Sequence, residues 1–169
     1  MRKLILLTVF LWPLSATAHT CILDQQQQQT LQAALRIGSK VGIGKQLAAV
    51  AFQESSLGVD TGSPGHFGVG SIGYSAWQIV MHIHPWLQRY FSARNWATVL
   101  VSNPTIALWV SAYYIKYCRE HALNWWQAMQ MYRYGSPDDT GDYPNHINHR
   151  MAQINHLLMG STSAGQPAY

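Results

Sequence analysis

The spacing of apolar residues along the chain predicts a protein built mostly from helices. Asp24 is a candidate N-cap for a first helix, in which Leu31, Ala34 and Leu35 recur on one face. A second helix is predicted in KQLAAVAFQESSL, and Gly58 is placed to end it. Three later segments show the same helical period: NPTIALWVSAYYIKYCREH, NWWQAMQMYRYG and PNHINHRMAQINHLL.

One stretch, GVDTGSPGHFGVGSIG, interrupts this helical pattern. It carries six glycines and one proline and shows no strong helical period, so we predict a long loop or a loop with short strands. A long structured loop inside a compact domain is usually functional or mobile. The helical pattern resumes near Ser75, and neither a repeat nor a linker is visible. The sequence therefore predicts one mostly α domain with a glycine-rich element between its second and third helices.

The two ends of the chain differ from this domain. Residues 1–18 combine a basic start, an apolar stretch and small residues ending at Ala18, the pattern of a secretory signal cleaved after that residue. The apolar stretch is short for a membrane span, so an uncleaved anchor is the less favoured alternative. We expect an exported, periplasmic protein with a folded domain over 19–159 and a flexible tail over 160–169.

Removal of the signal would lower the net charge and leave both cysteines in the exported protein. Two of the 11 Lys and Arg residues leave with it, so 9 basic residues face 7 acidic ones, a net charge of +2. This balance does not favour a nucleic-acid partner. Cys21 and Cys118 remain in a compartment that permits disulfides. We expect a bond between them, two separate buried thiols being the alternative.

Glu54, one of only two glutamates in the chain, directly precedes the glycine-rich stretch. Ala51, Val50 and Leu47 lie three, four and seven residues before it, which places Glu54 on the stripe that should face the core. It also lies in the last helical turn, where the helix dipole disfavours a carboxylate. Both effects favour the protonated form that a general acid requires. The alternative is that the helix ends one turn earlier and Glu54 points into water.

The other acidic residues lack these surroundings. Glu120 lies four residues after Lys116, and we predict that it is a surface partner of that lysine. Carboxylate chemistry on sugars usually takes a pair of acids. The possible second members are Asp24, Asp60, Glu120, Asp138, Asp139 and Asp142. None is distinguished by its surroundings as Glu54 is, so a single-acid mechanism deserves weight.

Histidine and tryptophan suggest two further kinds of site. His146 and His149 lie at i, i+3 on a predicted helix and would share a metal only with a further ligand. Because the chain has no H-E-x-x-H motif, we predict no metal and no cofactor. Aromatic faces stack on sugar rings. We expect Trp77 to lie in a binding cleft and Trp109 to pack in the core.

Three motifs in order resemble the soluble lytic transglycosylases of the goose-lysozyme-like superfamily. They are QESSLG, GYSAWQI and MYRYG, which are similar to the family's Glu-Ser, Gly-Leu-Met-Gln and Ala-Tyr-Asn-Ala-Gly segments. NPTIALWVSAYYIKYC also resembles the family's Asn-bearing helix, and YPNHINHRM its closing Tyr-plus-helix segment. The resemblance runs from about Leu31 to Leu158. Each motif alone is common, but their order and spacing together are fairly specific.

The resemblance implies an α-helical lysozyme-like fold and cleavage of peptidoglycan between N-acetylmuramic acid and N-acetylglucosamine. Glu54 would be the sole acid and base, and the muramoyl C6 hydroxyl would attack C1 to leave a 1,6-anhydro end. Ser55 and Gln78 would hold Glu54 or the sugar by hydrogen bonds. Tyr132 and Tyr143 would line the cleft near the scissile bond.

The chain departs from the family pattern at two places. Arg133 stands where the family usually has Asn, and Ala76 and Trp77 replace the Leu and Met before the glutamine. Two alternatives to the transglycosylase therefore stay open: a muramidase that uses water and a loop aspartate, and a silent wall-binding assembly protein. The small size resembles specialised members that open the wall for secretion, conjugation or pilus systems. The expected partners are peptidoglycan glycan strands and components of such a machine.

Overall fold

The structure, a computed structural model, describes residues 22–163, with side chains described as far as Met159. Its α-helices are α1 Gln25–Lys40, α2 Gly44–Ser55, α3 Tyr74–Ile83, α4 Trp96–Ser102, α5 Pro104–Glu120, α6 Trp125–Tyr134 and α7 Tyr143–Ser163, with a 3-10 helix at Pro85–Tyr90. Three short strands lie between α2 and α3: β1 Gly62–Ser63, β2 His66–Phe67 and β3 Ile72–Gly73. The prediction of a mostly α domain with a short β element at this place is confirmed.

The first helix begins where its sequence predicts. The Asp24 carboxylate accepts a hydrogen bond from the Gln27 backbone N–H at 2.8 Å, and the Gln27 side chain accepts one from the Asp24 N–H at 3.0 Å. This reciprocal capping box satisfies two backbone donors that the helix leaves free at its N-terminus. It explains why α1 starts at Gln25, inside the run of glutamines.

The second helix is the centre of the core. All six residues from Leu47 to Phe52 are buried, which means that α2 is apolar on every side and not on one stripe only. It packs against α1, α5 and α7. The small side chains of Ala48, Ala49 and Ala51 allow these neighbours to approach closely. A polar residue in the last turn of such a helix is held by the surrounding protein rather than by water.

The glycine-rich stretch folds into an antiparallel sheet with the strand order β1-β2-β3. Ser63 pairs with His66 across the first turn, and Phe67 pairs with Ile72 across the second. The edge of the sheet next to α3 packs against α5. The sheet therefore forms a wall beside the C-terminal end of α2, where Glu54 lies.

The ends of the chain bear on three of the predictions. The predicted signal, residues 1–18, and Cys21 lie outside the described residues, so the signal and the disulfide stay predictions, while Cys118 is fully buried in α5. The flexible tail was predicted to begin at residue 160, but α7 continues to Ser163. The helix thus includes the first four residues of the predicted tail, whose flexibility stays a prediction. No helix in the described part of the chain is both long and apolar enough to cross a membrane.

Candidate functional site

Glu54 is a buried carboxylate at the end of the central helix. Because α2 extends to Ser55, the alternative in which the helix ends a turn earlier is wrong. The Glu54 side chain is 6 % exposed. The prediction that Glu54 faces inward is confirmed, and the reason is that α2 is enclosed on all sides.

Two cavities meet at Glu54 and form an open cleft. One has a volume of about 330 Å³ and extends along the sheet and the start of α3, and the other has about 410 Å³ and extends along α7. Glu54, Ser71, Arg133 and Tyr134 line both. A linear ligand lying in this cleft would pass Glu54 at its middle.

Arg133 is the direct partner of Glu54. Its Nη1 donates to Glu54 Oε2 at 3.1 Å, and its side chain is 41 % exposed while that of Glu54 is buried. A guanidinium at this distance stabilises the charged form of a carboxylate. The contact joins α6 to the end of α2 and gives one oxygen of the buried carboxylate a partner.

Tyr132 lines the cleft, as predicted, but its hydroxyl already donates a hydrogen bond within the protein. That hydroxyl donates to the Gly70 carbonyl at 2.7 Å, and the ring is 8 % exposed. Burial, followed by the nearby charge of Glu54, raises the pKa of Tyr132 well above its ordinary value. Tyr132 therefore remains a hydrogen-bond donor that fixes the glycine-rich segment in place.

Gly70 has no room for a side chain beside this hydroxyl. A Cβ at this position would overlap the side chain of Ser111 and lie 2.9 Å from the Tyr132 hydroxyl oxygen. The backbone approaches α5 and α6 closely here because residue 70 is glycine. This approach holds the wall of the cleft next to Glu54.

Tyr143 lines the other side of Glu54, again as predicted. It is 4 % exposed, and its hydroxyl has no hydrogen bond of good geometry to any described residue. Burial raises the pKa of Tyr143 well above its ordinary value, and the charge of Glu54 adds to that increase. The site therefore holds a protonated hydroxyl next to Glu54 that is free to bond to a ligand or to the carboxylate.

Ser55 was predicted to hold Glu54 or the sugar, and the structure corrects this. Its side chain lies 3.0 Å from the Ala51 carbonyl and 2.8 Å from the Val69 carbonyl, and it accepts from the Gly58 N–H at 2.9 Å. Ser55 is 2 % exposed, so a sugar cannot reach it. Its hydroxyl joins the end of α2 to the glycine-rich segment and thereby positions the cleft wall.

Gln78 and Trp77 are also placed differently from the prediction. Gln78 is exposed on α3 and lines neither large cavity, so it cannot hold Glu54. Trp77 is 8 % exposed and packs in an aromatic cluster with Phe91 and Trp96. Trp77 therefore does not lie in the cleft beside Glu54, and a contact of the exposed Gln78 with the sugar stays a prediction.

Tyr74 takes the place in the cleft that was predicted for Trp77. Its ring lines the cavity and is 45 % exposed. Trp77 stacks against it at 5.4 Å between centroids, and Trp96 contacts it edge-on at 5.5 Å. Two supporting rings thus fix the plane of an exposed aromatic face, the kind of surface on which sugar rings stack. The sequence signal was its position three residues before Trp77 on one helix.

Ser71 and Tyr134 are the other cleft residues that the sequence analysis missed. Ser71 has a left-handed backbone with φ of 54°, and it lines all three cavities that Glu54 lines. Tyr134 is 46 % exposed and borders both large cavities. A serine inside a glycine-rich segment gives no local sign of such a position, but MYRYG did place Tyr134 next to Arg133.

Of the other carboxylates discussed above, Asp60 lies near Glu54, and the loop aspartates and Glu120 do not. Asp60 lines a third, small cavity of about 30 Å³ together with Glu54. Asp138, Asp139 and Asp142 line none of the three cavities, so the loop aspartates are not placed as a second acid. Glu120 is 59 % exposed and lies 3.8 Å from Lys116 Nζ, which confirms the predicted surface pair.

The histidines bring together no metal-binding group. His146 lines the cleft and lies 3.5 Å from the Asp142 carboxylate one turn away, while His66 lies on β2 at the other side. In residues 22–163, no three His, Cys, Asp or Glu side chains are close enough to hold a metal ion. The chemistry open to the site is acid and base catalysis by Glu54, with Arg133 and Tyr143 next to it.

Comparison of the chain with protein-family models, with curated proteins and with solved structures finds no match.

Proposed function

We propose that this protein is a peptidoglycan lytic transglycosylase with a lysozyme-like fold of the goose type. It would cleave the β-1,4 bond between N-acetylmuramic acid and N-acetylglucosamine and leave a 1,6-anhydromuramoyl end. The observation that carries the proposal is the buried Glu54 carboxylate at the middle of an open cleft, with no second carboxylate among the described residues that line its two main cavities. One acid can suffice when a hydroxyl of the substrate is the nucleophile, because no second residue must then activate a water molecule.

The chemistry assigned to Glu54 needs both of its protonation states. As an acid it would give its proton to the glycosidic oxygen while the bond to C1 breaks. As a carboxylate it would then take the proton of the muramoyl C6 hydroxyl, whose oxygen bonds to C1 within the same sugar. Such ring closure benefits from a nucleophile that is already held next to the reacting carbon, so no residue is required to hold a water molecule.

The shape of the cleft supports a glycan strand as the substrate. Cavities on both sides of Glu54 provide room for sugars before and after the scissile bond. Tyr74 presents a supported aromatic face on one side, and Tyr134 an exposed ring between the two cavities. We assign both rings to sugar contact and the free hydroxyl of Tyr143 to a hydrogen bond near the scissile bond.

The test is to incubate the purified protein with peptidoglycan and determine the masses of the soluble products. We expect anhydromuramoyl products from the wild type and none above background from Glu54→Gln. Glu120→Gln is the matched control, since it removes the same charge from a surface pair and should leave the products unchanged. Absence of products at several pH values, with retained binding to the wall, would favour the silent assembly protein instead.

Asp60 gives one specific reason to keep a hydrolase as the second candidate. The small cavity shared by Asp60 and Glu54 has room for at least one water molecule. A muramidase that uses Asp60 as the base for this water would give reducing ends, heavier by one water than anhydro ends. Asp60→Asn would then remove activity, whereas the transglycosylase should tolerate that change.

The same proposal extends to the cellular location of the protein and to its partner. We propose that the protein is exported to the periplasm and opens the wall locally for an envelope-spanning secretion, conjugation or pilus machine. Support comes from the pattern of residues 1–18 and from the small size of the domain. Fractionation of cells and cross-linking of the exported protein to its neighbours would test both statements.

A further inference from the structure

Arg133 occupies one oxygen of the Glu54 carboxylate in the arrangement that the structure shows. Its Nη1 lies 3.1 Å from Glu54 Oε2, and that carboxylate is almost entirely removed from water. An adjacent cation favours the ionised carboxylate, whereas protonation of a leaving oxygen requires the neutral acid. For Glu54 Oε2 to give a proton to a leaving oxygen, its contact with Arg133 must open.

Arg133 is also the only permanent cation in the cleft. Among the described residues that line the two large cavities, Arg133 is the sole Lys or Arg and Glu54 the sole carboxylate. The arginine borders both cavities and is 41 % exposed, so a ligand on either side can reach it. A guanidinium binds carboxylates through parallel N–H bonds. An anionic ligand in the cleft would thus compete directly with Glu54 for Arg133.

The surroundings can hold Glu54 once Arg133 has moved. The buried hydroxyl of Tyr143 lies beside Glu54 and interacts with its carboxylate, but it makes no hydrogen bond of good geometry to any described residue. It can accept a bond from the neutral acid or donate one to the carboxylate. Loss of the Arg133 contact therefore does not leave Glu54 without a possible partner.

We propose that Arg133 is the binding site for a carboxylate of the substrate, and that its capture by this carboxylate releases Glu54 to act as the acid. The inference rests on the proposed function and adds a specificity to it. The glycan must carry an anionic group near the scissile bond. Two sources share this chemistry: the lactyl carboxylate of strands without peptides and a carboxylate of the stem peptide. Neutral glycans would bind without releasing Glu54.

Binding of small sugars to the purified protein tests the site without relying on turnover. The probes are N-acetylmuramic acid, its neutral lactyl amide, and the same sugar extended by a dipeptide with a free C-terminal carboxylate. Calorimetry or NMR titration gives the affinity ratio of acid to amide. We expect a preference for the acid of a few-fold in the wild type, because Glu54 competes. In Glu54→Gln it should rise to about 10- to 100-fold, the range for a charge-assisted hydrogen bond.

The decisive variant is Glu54→Gln combined with Arg133→Gln. Removal of the Glu54 charge alone would ease the binding of any anion, so the preference must disappear when Arg133 is also replaced. A preference that survives the double change, or none in Glu54→Gln, overturns the inference. Combining Glu54→Gln with Arg133→Lys should retain part of the preference and shows whether the site tolerates replacement. Circular dichroism of each variant checks folding.

Other groups close to the pair define the controls. The titratable groups that line these cavities with the pair are Asp60, His66, Tyr74, Tyr114, Tyr132, Tyr134, Tyr143 and His146. His66 and His146 are the only others in the two cavities that can become cationic, so Glu54→Gln with both replaced by Gln should keep the preference. Arg89→Gln, where the guanidinium lies over Trp86 and Tyr90 outside the cavities, should also keep it.

The dipeptide probe separates the two sources of the carboxylate. Binding as tight as that of the acid shows that Arg133 also accepts stem-peptide carboxylates, and binding as weak as that of the amide restricts it to strands without peptides. Product analysis separates this inference from the function. Anhydro products without a carboxylate preference would refute the inference alone, while a preference without products would refute the transglycosylase alone.

Discussion

The two glutamates of the chain lie in matching positions and have different surroundings. Glu54 is in the last turn of α2 and Glu120 in the last turn of α5, and each has a basic partner, Arg133 at 3.1 Å and Lys116 at 3.8 Å. The Glu54 side chain is 6 % exposed, however, and that of Glu120 is 59 % exposed. Helix position and charge pairing are therefore shared, and burial is what distinguishes the two sites.

The two ion pairs differ in the parts of the fold that they join and in their contact with water. The Lys116–Glu120 pair joins neighbouring turns of one helix and faces water, where an ion pair contributes little. The Glu54–Arg133 pair joins α2 to α6 across 79 residues of sequence, and it lies in the cleft between the glycine-rich segment and α7. A carboxylate that the fold removes from water can change its protonation state with its surroundings.

The largest expected effect compares the two glutamates directly. Glu54→Gln should lower the rate of product release from peptidoglycan by about 10²- to 10⁴-fold, the usual contribution of a positioned acid or base. Glu120→Gln should leave the rate within about twofold, since it loses only a screened surface contact. A turbidity assay with wall material measures both. An equal loss in the two variants would contradict the assignment of Glu54.

A second comparison tests the glycine-rich wall of the cleft next to Glu54. Gly70→Ala should destabilise the protein by about 1–3 kcal/mol, the range for overpacking, because a Cβ would collide with Ser111 and press on the Tyr132 hydroxyl. Activity should fall as well, since the same segment forms the cleft wall. Gly62→Ala is the matched control, for a Cβ there meets nothing within 4 Å. Urea unfolding measures the stability of the two variants. Equal midpoints would show that the wall of the cleft is not rigid at Gly70.

The ion pairs provide a third comparison. Arg133→Ala leaves a buried carboxylate unpaired and should destabilise the protein by about 1–2 kcal/mol at pH 7, less than for a fully enclosed pair because Arg133 is partly solvated. Lys116→Ala should change stability by at most about 0.5 kcal/mol. Adding Glu54→Gln to Arg133→Ala should restore most of the loss. If it does not, the contribution of Arg133 lies in packing against Tyr143 instead of in charge.

The sequence predicted most of the helices and the inward-facing carboxylate because both depend on local patterns, whereas it missed α4 and the 3-10 helix. Helical spacing and the Asp24 cap defined α1, and the apolar turns before Glu54 indicated that it faces inward. It could not predict the Arg133 contact, which joins residues 79 positions apart. It also assigned Trp77 to the cleft in place of Tyr74, since helical spacing fixes a shared face but not which ring on that face meets solvent.

The smallest expected effect concerns how the two helices end. After Glu54, Ser56 and Leu57 have left-handed backbones with φ of 50° and 63°, while α5 ends at His121 with φ of −110°. A left-handed conformation costs a residue with a side chain about 1 kcal/mol, and glycine adopts it freely. Ser56→Gly should therefore stabilise the protein by up to about 1 kcal/mol, less the entropy that glycine adds to the unfolded chain. His121→Gly should bring no gain, because there is no such strain at the end of α5. Thermal unfolding of the two variants compares them. Equal changes would mean that the turn after Glu54 is relaxed, and that the carboxylate is held by its neighbours in space and not by its own helix end.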